Sequence, residues 1–386
     1  VLSLAILTLV CIGVVMVYSA SSASALLDDG NPSGMLIRQG LFAIVALVAF
    51  AVCARVNPAT LMKLAKPAVF IALGLLVVVL VPGFGIEANG ARSWIGLGPV
   101  QMQPSEFAKL ALIVWLAGYL ARNVERLDTW DGLKRPVGIM IAMGVLLMLE
   151  PDLGTSIVLL STAFVMLVLS GVPARILGLM AVIAGVLTAA LIAVAPYRTA
   201  RLTSFLDPWS DPEGRGFQVV QAQLALGSGG VSGVGLGNGL QKVNYLPEAH
   251  TDMIMATIGE ELGLVGVLGV IALVGAVIWS GYRIAMAAPD LRLRLLAGGL
   301  VSLISIQAIV NLGAVLGLLP VTGVPLPFVS YGGSSLVVLT AASGILVGIS
   351  RRSRARRLSV VPDPSASGGD RRRRDGGPHH AGAGAG

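Results

Sequence analysis

Ten apolar segments, separated by loops whose charges are sorted by sign, constrain this chain more than any motif in it. They are Val1–Tyr18, Leu36–Ala54, Pro67–Val81, Ser105–Leu120, Val137–Leu149, Thr155–Val172, Ala174–Ala195, Met253–Tyr282, Leu295–Leu319 and Val329–Ile349. A helix that crosses the hydrocarbon of a bilayer needs about 20 apolar residues, with roughly 17 as the lower limit. Hydrophobic residues make up 55% of the chain and charged ones 12%, whereas a soluble domain carries about 25% charge. A soluble fold of 386 residues has too little interior to hide that apolar surface, so its solvent is lipid. The expected fold is an all-α polytopic membrane protein.

Val137–Leu149 is short, and fused with Thr155–Val172 as one interrupted span it would give nine crossings instead of ten. Charge decides between the counts. With ten spans and both ends inside, the short inner loops hold eleven basic residues: Arg55, Lys63, Lys66, Arg122, Arg126, Lys134, Arg135, Arg175, Arg283, Arg292 and Arg294. Nine more follow Ile349, while the short outer loops hold only Arg38 and Arg92. That is the positive-inside asymmetry, and nine spans would invert it for the C-terminal third. Thirteen of the twenty acids fall outside or near the outer face, which puts any chemistry there. Residues 1–350 are therefore read as a ten-span domain with a long outer loop at 196–250, and 351–386 as a basic, disordered cytoplasmic tail.

The first segment, followed by YSASSASA, imitates a signal peptide with a small-residue cleavage site. Its length and the charge pattern favour retention as a span. Cys11 and Cys53 lie in apolar stretches and read as buried free thiols. His379 and His380 sit in a Gly/Ala tail and His250 has no partner at ligand spacing, so no metal set is expected. Nucleic-acid binding by the basic tail carries no weight in a membrane protein.

Polar residues cluster in a few outer stretches. QPSEFAK (Gln103–Lys109) opens the fourth span, with Pro104 and Glu106 suited to a first helical turn. Glu106 and Lys109, three apart, share one face. They read either as a structural ion pair with Lys109 snorkelling outward or as the wall of an outward-opening polar cavity. The second is favoured, since intramembrane ionisable groups usually face the interior. In LEPDLGT (Leu149–Thr155), Asp152 reads as a helix cap and Glu150, before a proline at the end of a short span, as a binding-site marker. Gln307 and Asn311 place two amides on one helical face, to orient a sugar or to bridge helices.

The stretch 196–250 mixes Arg198, Arg201, Arg215 and Lys242 with interfacial aromatics, which suits either a lipid-borne phosphate or an amphipathic surface. SGVGLGNG (Ser232–Gly239) within it reads as a flexible turn rather than a dinucleotide fingerprint, because no strand precedes it. LPVTGVPLPFVSYGGSS (Leu319–Ser335) is irregular backbone of the kind that lines cavities. YLPEAHTDM (Tyr245–Met253) gathers Glu248, His250 and Asp252 before an apolar run. Asp252 shares a helical stripe with Ala256, Gly259, Gly263 and Gly266, a seam another segment can approach closely. As an ordinary N-cap, Asp252 would be explained, but not its neighbours or the deeper pair Glu260–Glu261.

Together these motifs resemble the SEDS family (shape, elongation, division and sporulation), polytopic proteins of bacterial cell-wall synthesis. The resemblance runs from MVYSASS (Met16–Ser22) to Arg351 and rests on ARSWIGLG, QPSEFAK, EPDLGT, LPEAHTD, GEELG and PLPFVSYGGSS. RLTSFLDPWSDPEGRGFQVVQ followed by KVNYLPEAHTD is more similar to the division branch than to the elongation branch. Met253 and Met255 stand where the family usually has Phe. The resemblance implies a peptidoglycan glycosyltransferase that polymerises lipid II, a disaccharide-peptide on undecaprenyl pyrophosphate, at the septum in the bacterial inner membrane. It implies Asp252 as the catalytic carboxylate and Glu106 and Lys109 as the charged pair of a central cavity. On that reading Lys109, Arg198, Arg201 and Lys242 are candidates to stabilise the leaving pyrophosphate. His250 would bond to Asp252 or substrate, and Ser330 would contact substrate. A class B penicillin-binding protein and other division proteins are the implied partners, and no cofactor is expected. A lipid II flippase, a scaffold and an elongation-branch polymerase remain the alternatives.

Overall fold

The computed structural model describes residues 1–28, 33–88, 91–97, 100–194, 196–243 and 246–360. In chain order it contains helices α1 (Leu2–Asp28), α2 (Gly34–Cys53) and α3 (Pro58–Leu80), then strands β1 (Gly85–Ala88), β2 (Ala91–Leu97) and β3 (Val100–Met102). Helices α4 (Pro104–Arg122), α5 (Trp130–Leu149), α6 (Leu153–Leu169) and α7 (Ala174–Val194) follow. Next come α8 (Pro196–Leu206) and α9 (Phe217–Ser228), then the long α10 (Ile254–Met286), α11 (Leu291–Val315) and α12 (Gly333–Val360).

Eight of these are long and apolar enough to cross a membrane among the described residues: α1, α2, α3, α5, α7, α10, α11 and α12. The remaining two segments of the sequence reading are also helices. The apolar α6 has 17 residues, and α4 carries Glu106, Lys109 and Arg122 in 19. Helix α4 packs against α3, α6 and α11 and is buried along most of its length. A helix enclosed by protein needs no lipid-facing apolar shell, so it can hold charges that would be costly elsewhere.

The segment that looked short is not. Helix α5 starts at Trp130, because its polar first turns continue the apolar run backwards through Pro136. It then reverses at Glu150–Asp152 into α6, and Gly144 meets Leu160 across the two helices. One interrupted span is thereby excluded. Helix α1 is part of the bundle and packs on α10.

No strand is expected from the sequence, yet β1, β2 and β3 form an antiparallel sheet in that order between α3 and α4. Gly85 pairs with Ile95, and Ile95 with Met102. The stretch 196–250 contains α8, a 3₁₀ turn at Pro208–Ser210 and α9, so it is largely structured. Helix α12 runs on to Val360 and carries the basic cluster RRSRARR, which places the first part of the expected tail in a helix. Residues 361–386 lie outside the described residues.

The two ends of the bundle differ in chemistry. Around Val1–Ser3 lie Arg283 and Arg351, and around the first turn of α3 lie Lys63, Lys66, Arg122, Arg292 and Arg352. The opposite end carries the sheet, the Glu150 turn, the LPEAHTD segment and the proline-rich 319–332 loop.

Candidate active site

At the non-basic end, Pro104 occupies the first helical position of α4 and sets Glu106 in the first turn. Lys109, one turn on, donates to Glu106 Oε1 at 2.8 Å and to Gln307 Oε1 at 3.3 Å. Both charged side chains are about as buried as any in the protein, at 2% and 3% exposure. Lys109 therefore does not snorkel outward. It is a paired cation inside the bundle, and in this arrangement protein closes over it.

Helix α11 organises the rest. The amide nitrogen of Gln307 donates to the carbonyl of Pro325 at 3.1 Å and to Ser335 Oγ at 3.1 Å. One turn later, Asn311 Nδ2 donates to the carbonyl of Asp252 at 2.7 Å and to that of Val324 at 2.8 Å. The two amides thus bridge segments, clamping the LPEAHTD turn and the 319–332 loop onto one helix. Gly154 allows the same loop to lie against α6, since a Cβ there would collide with the carbonyl of Thr322. Asp152 caps α6 through Thr155 N at 2.9 Å, as read from sequence, and accepts from Gln103 Nε2 at 3.0 Å with its other oxygen. Glu150 beside it is fully buried, and neither oxygen has a protein hydrogen-bond partner among the described residues. Burial, and then the charge of Asp152, push its pKa up to about 8.

The LPEAHTD turn is folded on itself before α10 begins. Thr251 Oγ1 donates to Glu248 Oε2 at 2.6 Å and lies 3.4 Å from Asp252 Oδ1. Asp252 is 7% exposed. It is not the N-cap of α10: Met253 holds that position and caps with no side-chain bond. The N-cap explanation of Asp252 is thereby removed. His250 takes a backbone bond from Tyr331 N at 2.9 Å, and its ring tilts against that of Tyr331 at 5.6 Å. Burial lowers the imidazole pKa, opposed by the charge of Glu248. Ser330 closes a loop turn, accepting from Leu326 N at 2.8 Å, and is 4% exposed. Its hydroxyl shapes the loop.

Lys242 is likewise paired inside the protein. Its ammonium lies 2.6 Å from Glu261 Oε1 and 3.1 Å from Ser19 Oγ, and the lysine and glutamate side chains are 3% and 0% exposed. This cation is enclosed with its own carboxylate, as Lys109 is with Glu106. Glu260 accepts from the backbone N–H groups of Leu240 and Gln241 at 2.7 and 3.1 Å. Between them, Gly263 breaks α10 at φ 65°, ψ −164°, a conformation essentially restricted to glycine. The chain at 229–235 fills the break. Val234 N and Gly235 N donate to the carbonyls of Glu260 and Glu261, and Leu264 N and Val265 N to those of Gly230 and Val231. The glycine-rich stretch is thus a fixed insert, not a flexible turn, and the small-residue seam of α10 receives it together with Leu226 of α9. The side chains of Arg198 and Arg201 lie outside the described residues, as does Tyr245.

A family model described as a cell cycle protein, covering FtsW, RodA and SpoVE, matches residues 1–355. The chain belongs to the FtsW/RodA/SpoVE family. Among FtsW/RodA/SpoVE relatives, it is 43% identical over 354 residues to Stage V sporulation protein E of Bacillus subtilis (strain 168), covering 90% of this chain and 95% of that one. It is 45% identical over 354 residues to a probable peptidoglycan glycosyltransferase FtsW of Nitrosococcus halophilus (strain Nc4), covering 91% of each. Solved FtsW/RodA/SpoVE folds agree: Thermus thermophilus rod shape determining protein RodA has TM-score 0.68 at 32% identity, covering 91% of this chain and 96% of that one. A chain of a structure describing polymerization and crosslinking by a peptidoglycan synthase complex has TM-score 0.76 at 34% identity, covering 91% and 97%.

Proposed function

We propose that this protein is a peptidoglycan glycosyltransferase that polymerises lipid II during septal wall synthesis, in the bacterial plasma membrane, with a class B penicillin-binding protein as partner. One observation carries the reading. A carboxylate-bearing turn and a buried ammonium are tied to successive turns of one helix, Asp252 through Asn311 and Lys109 through Gln307. Family membership supplies the reaction class, and the FtsW relatives support the division role.

In the proposed step, Asp252 takes the proton of the acceptor sugar hydroxyl as that oxygen attacks the donor's anomeric carbon. The new glycosidic bond forms while the bond to the lipid pyrophosphate breaks, and the electron pair leaves on the phosphate oxygen. Lys109, with Arg198 and Arg201 from the outer stretch, would offset that charge. A positioned general base contributes roughly 10²–10⁴-fold.

The test is polymerisation of labelled lipid II by purified protein with its transpeptidase partner, wild type against Asp252→Asn. Wild type should form glycan, and the variant should remain folded, bind the partner and form none. Wild-type rates from Asp252→Asn would end the assignment of the base. Absence of polymer from wild type, with lipid II crossing a vesicle bilayer, would favour the flippase reading.

A further inference from the structure

The basic end of the bundle encloses a cavity of about 620 Å³, within the roughly 300–1,000 Å³ typical of small-ligand pockets. Four elements far apart in sequence converge on it, and each brings positive charge. Lys63 and Lys66 come from the first turns of α3, Arg122 from the last turn of α4, Arg292 from the first turn of α11 and Arg352 from α12. Asp290 supplies the one carboxylate of the lining, and it already caps α11 by accepting from Leu293 N at 2.9 Å. None of the five cations is ion-paired among the described residues; the pairs found there involve Arg92, Lys109, Lys134 and Lys242.

Two helix N-termini add to this field. Helices α3 and α11 both begin at the cavity, at Pro58 and Leu291, with positive dipole ends, against the one negative end of α4, which finishes there at Arg122. Gathering five like charges around one hollow costs repulsion unless an anion shares the space. The floor is of another kind: Met62, Trp115 and Leu293 line it, with Trp115 6% exposed. A strongly cationic rim above an apolar floor, at the level where basic residues mark the inner membrane surface, matches one ligand chemistry.

We propose that this cavity binds the phosphate of an anionic phospholipid from the cytoplasmic leaflet, with the cations around the phosphodiester and the glycerol and first methylenes against the floor. The proposal is independent of the catalytic reading, because it lies at the opposite end of the bundle. Phosphate bonding by Arg122, Arg292 and Arg352 would also draw the ends of α4, α11 and α12 together.

The experiment is a thermal-shift titration of the purified full-length protein in detergent. The probes are short-chain phosphatidylglycerol, short-chain phosphatidylcholine and inorganic phosphate. Phosphatidylglycerol should raise the melting temperature saturably, and the other two should not do so at equal concentration. In Lys66→Gln/Arg292→Gln, both exposed positions, the midpoint for phosphatidylglycerol should rise roughly thirtyfold, from about one surface cation's attraction each. Arg126→Gln/Arg135→Gln, basic residues at the same end but outside the cavity, should leave it within about threefold. Should the first pair fail to fold, Lys63→Gln/Arg352→Gln carries the same expectation. An equal loss from the Arg126/Arg135 pair would mean diffuse surface attraction and overturn the proposal. So would a shift by inorganic phosphate as large as that by phosphatidylglycerol, or no saturable shift at all.

Discussion

Lys242→Met separates two roles for a lysine that sequence placed on the substrate and structure places inside the protein. The Lys242–Glu261 contact is 2.6 Å, with side-chain exposures of 3% and 0%. Ser19 completes it, donating to Glu261 and accepting from Lys242. Removing one partner of such a pair leaves a buried charge uncompensated, which costs about 3–5 kcal/mol. For a chain of this size that corresponds to a fall in melting temperature on the order of 4–6 °C. Removing both charges costs far less, because the penalty lies in the orphan and not in the missing attraction. The expected series in detergent-purified protein is therefore a large loss for Lys242→Met, a large loss for Glu261→Gln, and recovery of most of it in the double variant. Lipid II polymerisation, measured below all the melting temperatures, should follow the same order. If Lys242→Met melted with wild type while polymerisation collapsed, and Glu261→Gln did not restore it, the lysine would be acting on substrate and the reasoning would fail.

Two further outcomes follow from the same packing. An acid whose pKa is raised by folding, from 4.5 to about 8 for Glu150, supports the fold fully at low pH. That support is lost as pH rises through the window between those values, with a slope of up to about 1.4 kcal/mol per pH unit. Glu150→Gln should flatten that part of the melting-temperature profile and melt above wild type at about pH 8; parallel profiles would show that Glu150 is not protonated in the fold. Gly263→Ala places a Cβ against Gly233 N and Val231 O in a conformation alanine avoids. It should cost at least about 1–3 kcal/mol and expose 229–241 to protease; wild-type resistance would mean that α10 can close without the insert.

The helices were legible because lipid imposes a length and an apolar composition that no loop imitates. Even the ends missed by the hydropathy pattern, such as Trp130 of α5, lie in polar turns that continue a helix beyond the hydrocarbon. Asp152 as a cap was legible too, since capping is local. What stayed hidden were contacts between polar residues far apart in sequence. GEELG suggests acids near the chemistry, but Glu260 accepts from the backbone of the outer insert and Glu261 pairs with its Lys242. Ser19, Glu261 and Lys242 come from three separate motifs, and nothing in any one of them names the others. The strands escaped for a different reason. With a glycine at each of Gly85 and Gly96 and only three to seven residues per strand, ARSWIGLG reads as a loop, and only the pairing of Gly85 with Ile95 makes it a sheet.

Helix α11 shows why neutral amides suit the centre of this site. An amide donates and accepts without the desolvation cost of a charge, so Gln307 and Asn311 can sit at 0% and 1% exposure where a second ion pair would be expensive. Four residues of helix rise about 6 Å, which fixes the spacing between the tether of Lys109 and the tether of the Asp252 turn. In glycosyl transfer the base and the cation must face opposite sides of one anomeric carbon, the base at the entering oxygen and the cation at the leaving one. On the proposed mechanism, holding both from a single helix keeps that separation fixed, with the 319–332 loop anchored to the same two amides. A catalytic loop without such a helix would have to be positioned anew in each cycle. Here the position follows from helical pitch.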